Sequence, residues 1–188
     1  MRTYRELFGT REFTPLFLTG AARVAAQTVA GLALGTLVYD RTRSPLLAAL
    51  AMFGPSLAQL IGATVLLSAA DRLAPRATLA GLELVFAVGT AAQAVPGLPV
   101  WAAFAILTCT GPLAALGGGV RYGLLNEILP AEGYVLGRSV LNMSVGTMQI
   151  CGFAVGGALV AALSPRYTLL AGAALYLAAA AIARFGLS

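Results

Sequence analysis

Six long hydrophobic stretches constrain what this chain can fold into, because each is about as long as a lipid bilayer is thick. A transmembrane helix needs roughly 20 mainly apolar residues, at about 1.5 Å per residue, to cross the hydrocarbon layer. The stretches run from Thr14 to Val38, Pro45 to Ala69, Ala77 to Val95, Pro99 to Gly119, Ser139 to Leu163 and Tyr167 to Ala183. The sequence therefore predicts an all-α integral membrane protein, a bundle of six transmembrane helices in a single domain over residues 1–188.

The composition supports a membrane location and excludes several mechanisms. Hydrophobic residues make up 59% of the chain and charged residues 10%, which leaves too little polar surface for a water-soluble globule. All twelve basic residues are arginine. Without lysine or histidine, the chain has no histidine base, no lysine for a Schiff base and no phosphate-loop lysine. Asp71 and Glu83 are single, separated carboxylates rather than an acid–base pair, so we expect no enzyme.

Cys109 and Cys151 lie singly in the fourth and fifth stretches, without CxxC spacing. No histidine is present to complete a metal site with them. We therefore interpret both as small apolar packing residues, and we expect no metal and no cofactor.

The distribution of arginines predicts that both chain termini are cytoplasmic. With the N-terminus inside, the inner positions hold Arg2, Arg5, Arg11, Arg72, Arg76, Arg121, Arg138 and Arg184, and the outer loops hold Arg41, Arg43 and Arg166. Eight inside against three outside agrees with the positive-inside rule. Because the arginines are spread among loops rather than gathered in one patch, we expect no binding to nucleic acid. The longest inner connection is predicted between Arg121 and Arg138.

Two predicted helices carry a stripe of small and polar residues at spacings of three and four. On helix one the stripe is Gly20, Arg23, Gln27, Gly31 and Gly35, and on helix five it is Arg138, Asn142, Gly146, Gln149, Gly152 and Gly156. Residues at this spacing share one helix face. Small residues allow close helix packing and amides supply hydrogen bonds, so each stripe should face protein or a wet cavity. Packing within the bundle and a functional surface both fit this pattern.

Two ionisable residues are predicted within the membrane. An arginine near the middle of a transmembrane helix costs about 2.5 to 3.5 kcal/mol on insertion scales, so Arg23 should have a partner or a water-filled surrounding. Glu83 lies about two turns into helix three, at a depth that its side chain could share with Arg23. The pair fits a substrate or proton site, and it equally fits a structural ion pair or a glutamate that reaches the inner interface.

Several segments resemble the N-terminal half of a major facilitator superfamily transporter of the bacterial drug and siderophore exporter type. Val38-Tyr39-Asp40 with Ser44-Pro45 resembles the first outer loop of that family. Asp71-Arg72-Leu-Ala-Pro-Arg76 resembles its signature loop between helices two and three, with Leu67 and Ala74 in place of usual glycines. Arg121 to Pro130 resembles the segment after helix four. In helix five, Gln149 to Gly157 resembles the glycine-rich antiporter motif, with Phe153 at the usual proline position.

This resemblance implies a secondary active transporter that exports small apolar compounds by alternating access across the bacterial inner membrane. Such a carrier has two six-helix halves, each an inverted pair of three-helix repeats. This chain would be one half and would need a second, either a separately encoded C-terminal half or a second copy of itself. Protons coupled through Glu83 are the expected driving ion, because desolvation raises the pKa of an intramembrane glutamate toward neutral pH.

The resemblance also implies roles for particular residues. Arg23 and Gln27, with Glu83, would face the translocation path. Asp71, Arg72 and Arg76 would gate the inner side through the signature loop. The seam with the second half would be formed on helix five by Asn142, Gln149, Gly152, Gly156 and Gly157.

Two other interpretations remain open at this point. The chain could be a membrane scaffold or regulatory subunit that uses helix five to bind a larger protein without transporting anything. It could also be an inactive truncated fragment, which the abrupt end at Arg184-Phe-Gly-Leu-Ser favours.

Overall fold

The computed structural model describes residues 3–187, apart from the side chain of Leu67. Over that range the chain forms seven α-helices and no β-strand. They are α1 (Tyr4–Gly9), α2 (Phe13–Thr42), α3 (Pro45–Ala70), α4 (Pro75–Gln93), α5 (Val100–Ile128), α6 (Ala131–Ala162) and α7 (Pro165–Gly186). The prediction of an all-α protein is therefore confirmed for the described part of the chain. Arg2, one of the predicted inner arginines, lies outside it.

Five of the helices between residues 3 and 187 are long and apolar enough to cross a membrane. They are α2, α3, α5, α6 and α7. The predicted third segment, Ala77 to Val95, also forms a helix, α4, but it is not among the five. Arg76, Glu83 and Gln93 lower its mean hydropathy below that of its neighbours. Five of the six predicted spans thus meet the length and composition of a membrane-crossing helix, and the chain is a multi-pass membrane protein by these criteria.

Serine–proline pairs set the start of two helices. The Ser44 hydroxyl accepts a hydrogen bond from the backbone N–H of Leu47 at 3.3 Å, and Ser164 caps α7 in the same way. In each case proline follows the serine at the first helical position, where its missing N–H costs nothing. These signals place the loop between α2 and α3, and the one between α6 and α7, where the sequence predicted them.

Helix α2 contacts more of the other helices than any other helix does. It contacts α3, α6 and α7, whereas α5 packs against α3 and α4, and α4 packs against α7. The helices α2, α3, α5, α4 and α7 thus form a closed ring in that order, with α6 beside α2 on the outside. In their most apolar windows, 56% of the residues of α2 are buried but only 11% of those of α3 and of α6. Helices α3 and α6 are therefore the spans with most surface left uncovered.

The inner ends of α5 and α6 differ from the prediction. The segment between Arg121 and Arg138 was expected to be a loop, but α5 continues to Ile128 and α6 begins at Ala131. These helices contain 29 and 32 residues, so they project beyond a bilayer that about 20 residues can span. Hydropathy reports where a helix leaves the lipid rather than where it ends, which is why the sequence pattern placed the boundaries too early.

The short helix α1 was also missed by the sequence analysis. It lies against the end of the bundle at which α2 begins, where Leu7 is fully buried together with Phe13 and Leu124. The Phe8 ring packs edge-on against Phe13, with 5.2 Å between the ring centroids. At six residues, α1 is too short to produce the hydrophobic period by which longer helices are recognised.

The cysteines are placed differently from the prediction. Cys109 and Cys151 are both exposed on the surface of the bundle rather than packed inside it. A thiol is only weakly polar, so its exposure on an apolar helix of a membrane bundle costs little. The interpretation of the two residues as packing residues is corrected accordingly.

Candidate functional site

Three charged side chains from different helices meet inside the bundle. Arg23 Nε in α2 lies 3.7 Å from Glu83 Oε1 in α4, and Arg121 Nη2 in α5 lies 3.8 Å from the same oxygen. Glu83 is 1% exposed, and the side chain of each arginine is 9% exposed. We call these three residues the buried charge cluster. It ties together helices that are far apart in the sequence.

Neighbouring groups orient the arginines of the buried charge cluster. Arg23 Nη2 donates a hydrogen bond to the backbone oxygen of Ala114 at 3.4 Å, and its guanidinium lies 5.2 Å above the centre of the Phe86 ring. A Cβ at Gly20 would lie 3.6 Å from the Arg121 Cζ. At this distance a Cβ would be in ordinary van der Waals contact, so Arg121 packs directly against α2 at this residue.

The buried charge cluster is not fully satisfied by hydrogen bonds within the described part of the chain. Glu83 Oε2 and the Nε and Nη2 atoms of Arg121 are buried and have no hydrogen-bond partner there. The two contacts to Glu83 Oε1 are ion pairs at a distance beyond a good hydrogen bond. Buried charged groups without such partners are costly, which distinguishes this cluster from an ordinary packing contact.

The structure brings Arg23 and Glu83 together and adds Arg121, which the sequence analysis missed. Arg121 was counted among the loop arginines on the inner side, yet it is 8% exposed and within α5. Extending the helical period of α5 would have found it, because Ala114, Gly117 and Arg121 are spaced by three and four residues and share one face. Arg121 is therefore removed from the eight arginines that were predicted on the inner side.

A small cavity lies next to Arg23 and is lined by residues of α2, α3, α4, α5 and α7. Its volume is about 70 Å³, and its polar lining residues include Arg23, Gln27, Thr90 and Thr110. We call it the inner cavity. Arg23 and Gln27 thus line a recess within this bundle, and their place on a path between two halves stays a prediction.

A second, larger recess opens on the surface between α3 and α6, in front of α5. Its volume is about 780 Å³, and its polar lining residues are Ser56, Gln59, Asp71, Tyr122 and Arg138. We call it the open groove. The Tyr122 hydroxyl donates a hydrogen bond to Asn142 Oδ1 at 2.7 Å, and the Arg138 guanidinium lies 5.1 Å above the Tyr122 ring. These two contacts fix one wall of the groove to α6.

The three residues predicted to gate through the signature loop lie in different surroundings. Asp71 is exposed at the end of α3 and lines the open groove, whereas Arg72 is exposed without lining it. Arg76 Nε and Nη2 donate to the two carboxylate oxygens of Glu12 at 2.8 and 2.7 Å, and its Nη1 donates to Glu127 at 3.2 Å. Arg76 therefore joins the starts of α2 and α4 to the end of α5 within this chain.

The residues predicted for the seam on helix five are divided between two faces of α6. Asn142 and Gln149 are exposed, and Gly157 is half-buried. Gly152 and Gly156 are buried against α2, where a Cβ would lie 1.8 Å from Thr28 Oγ1 and 3.2 Å from the Val29 Cα, respectively. Because these two glycines contact α2 of the same chain, the expectation that they contact a second half is corrected.

No protein-family model, no curated protein and no solved structure matches the chain.

Proposed function

We propose that the chain is one half of a secondary active transporter and that it exports small apolar compounds by alternating access together with a second six-helix half. The observation that carries this proposal is the open groove. Ser56 and Gln59 lie about 17 to 21 Å from the outer end of α3, near the depth of the bilayer midplane. Polar side chains at that depth normally face protein or a water-filled cavity rather than lipid.

The packing of the helices supports a fold of two inverted three-helix repeats. If α2–α4 form one triplet and α5–α7 the other, most contacts occur in matching pairs. The contact of α3 with α5 corresponds to that of α6 with α2, and the contact of α2 with α7 corresponds to that of α5 with α4. The contact between α4 and α7 is its own counterpart, because each of these helices is the third of its triplet. Such internal symmetry is typical of transporters, whose substrate site lies where repeats meet.

The same fold requires α4 to cross the membrane as a sixth span. Its low hydropathy does not argue against this role, because Glu83 is buried inside the bundle and Arg76 is bonded to Glu12 and Glu127 at the inner end. Its lipid-facing positions are apolar, as Leu84, Val85 and Val88 are exposed. A helix with internal charges and an apolar outer face suits a bundle in lipid.

The second half would cover the face between α3 and α6. Both helices are largely unburied, and they flank the polar open groove. Either a separately encoded half or a second copy would serve, placed in the bacterial inner membrane with both termini cytoplasmic. A scaffold or regulatory subunit would use the same face, but its groove would be filled by the bound protein and closed to water throughout.

Cysteine labelling tests whether the open groove is part of a water-filled path. In a background with Cys109 and Cys151 replaced by serine, Gln59→Cys is compared with Ile61→Cys, which is about 3 Å away in depth and faces lipid with 67% exposure. A maleimide reagent reacts with the thiolate, which requires water. We expect labelling at position 59 and not at position 61 in intact membranes.

The sidedness of that labelling separates transport from scaffolding. Alternating access predicts that position 59 reacts with membrane-impermeant maleimide from both sides of the membrane, and that ethidium, a bulky aromatic cation of largely apolar structure, alters the rate. If position 59 is labelled from neither side of the membrane, the groove is not part of a water-filled path. Labelling from one side only, at a rate that a membrane potential and a pH gradient leave unchanged, contradicts alternating access.

A further inference from the structure

We infer that the buried charge cluster binds a small monovalent anion, such as chloride, in the inner cavity beside Arg23. Neither transport nor a second half is needed for this binding. Its first support is the net charge of the cluster. Arginine keeps its proton in proteins, so Arg23 and Arg121 contribute two positive charges and Glu83 contributes at most one negative charge. The cluster therefore carries at least one positive charge in excess.

No other acidic side chain of the described residues lies near enough to compensate the excess charge. The remaining acids are at helix ends or in connecting segments: Glu6, Glu12, Asp40, Asp71, Glu127 and Glu132. A charge inside a bundle of apolar helices is costly unless it is paired or solvated. The buried Nε and Nη2 atoms of Arg121 also lack hydrogen-bond partners in this part of the chain, so neutral acceptors do not take the place of a counter-ion.

The inner cavity offers the space and the donors for such an ion. Its volume of about 70 Å³ is well above the roughly 10 to 15 Å³ that one water molecule needs on the same measure, so the cavity has room for a small ion. Arg23 lines the cavity directly, and Gln27, Thr90 and Thr110 add amide and hydroxyl groups. The ligand class is therefore a halide or an ion of similar size, held by Arg23 with the charge of Arg121 behind it.

Thermal unfolding of the purified chain in detergent provides the test. Melting is followed in sodium gluconate and after replacement by chloride, bromide or nitrate at constant ionic strength. An ion that binds the folded state raises the melting temperature, and a concentration well above Kd gives a shift of about 2 to 4 °C or more. We expect this rise for the three small anions. Line broadening in chlorine NMR gives an independent measure of binding.

Variants of the charge cluster distinguish the buried site from general salt effects. Arg121→Gln brings the net charge to zero and should abolish the shift, whereas Glu83→Gln raises it to two and should enlarge the shift. Arg138→Gln, which removes an exposed guanidinium in the open groove, should keep the shift of the unsubstituted chain. If either cluster variant fails to fold, the shift of the unsubstituted chain between gluconate and the three small anions, together with the chlorine line broadening, still decides the matter. The same shift in all variants, or no shift and no line broadening in any, overturns the inference.

Discussion

The Nε atom of Arg23 in α2 lies 3.7 Å from the Oε1 atom of Glu83 in α4, in the interior of the bundle. This pair joins two helices whose ends are set by different loops, and Arg121 of α5 approaches the same oxygen. The three residues thus connect α2 and α4 to α5 at one depth in the bundle. Changes at Glu83 should therefore affect stability, and also any coupling to protons.

Removing the carboxylate charge should destabilise the bundle strongly. Glu83→Gln leaves two buried guanidinium groups without their counter-charge, and breaking a buried pair in this way costs about 3 to 5 kcal/mol. Thermal or denaturant unfolding in mild detergent measures the loss. The matched control is Glu127→Gln, whose side chain is 56% exposed and should cost about 1 kcal/mol or less. Equal costs for the two variants would contradict the burial of the cluster.

Proton coupling through Glu83 has a separate test. If this carboxyl group exchanges the coupling proton, Glu83→Gln removes the pH dependence of transport, because glutamine cannot titrate. The rate of ethidium release from proteoliposomes, measured between pH 5.5 and pH 8.5, shows the dependence. A variant that transports with the same pH profile as the unsubstituted chain excludes Glu83 as the coupling group.

Leucine at position 152 should detach α6 from α2 within the chain. A Cβ at Gly152 would lie far inside contact distance of Thr28, so the helices must separate, and overpacking of this kind costs about 1 to 3 kcal/mol or more. Gly146→Leu is the control, because no atom lies within 4 Å of a Cβ at that position. We expect Gly152→Leu to unfold or misfold and Gly146→Leu to keep its melting temperature. Normal folding of both would contradict the α2–α6 contact.

Arg76 should stabilise the inner end of the bundle by a modest amount. Its two hydrogen bonds to Glu12 form a bidentate contact between the starts of α4 and α2, at a side chain that is 32% exposed. Arg76→Ala should cost about 1 kcal/mol in low salt and less in 1 M salt, because exposed ion pairs are screened. Arg72→Ala, an exposed neighbour, should cost much less. A cost that does not change with salt would show that Arg76 acts through packing instead.

The sequence predicted the membrane helices well where serine, proline and hydropathy all change together. Ser44-Pro45 and Ser164-Pro165 mark helix starts because capping and the fixed φ of proline act locally. The inner ends of α5 and α6 could not be predicted in this way, because a helix continues into water after its hydropathy falls. The burial of Arg121 was missed for the same reason, because α5 was predicted to end before this residue.

The glycines of α6 show a different limit of the sequence pattern. The spacing of Gly152 and Gly156 correctly indicated a close helix contact, but a pattern on one helix does not identify the helix opposite. The contact with α2 depends on Thr28 and Val29, which carry no distinctive signal of their own. In the same way, the open groove arises from three helices together and is not visible in any one of them.

Native mass spectrometry of the chain released from mild detergent tests the central claim most directly, since alternating access in this fold requires two halves around one site. The chain should be expressed at low level in its own membrane, so that a separately encoded partner is retained. We predict a particle that contains two six-helix bodies, either two copies of this chain or one copy with a second membrane protein of similar size. A clean monomer with no co-purifying partner would contradict the proposal that the chain works as one half of a transporter.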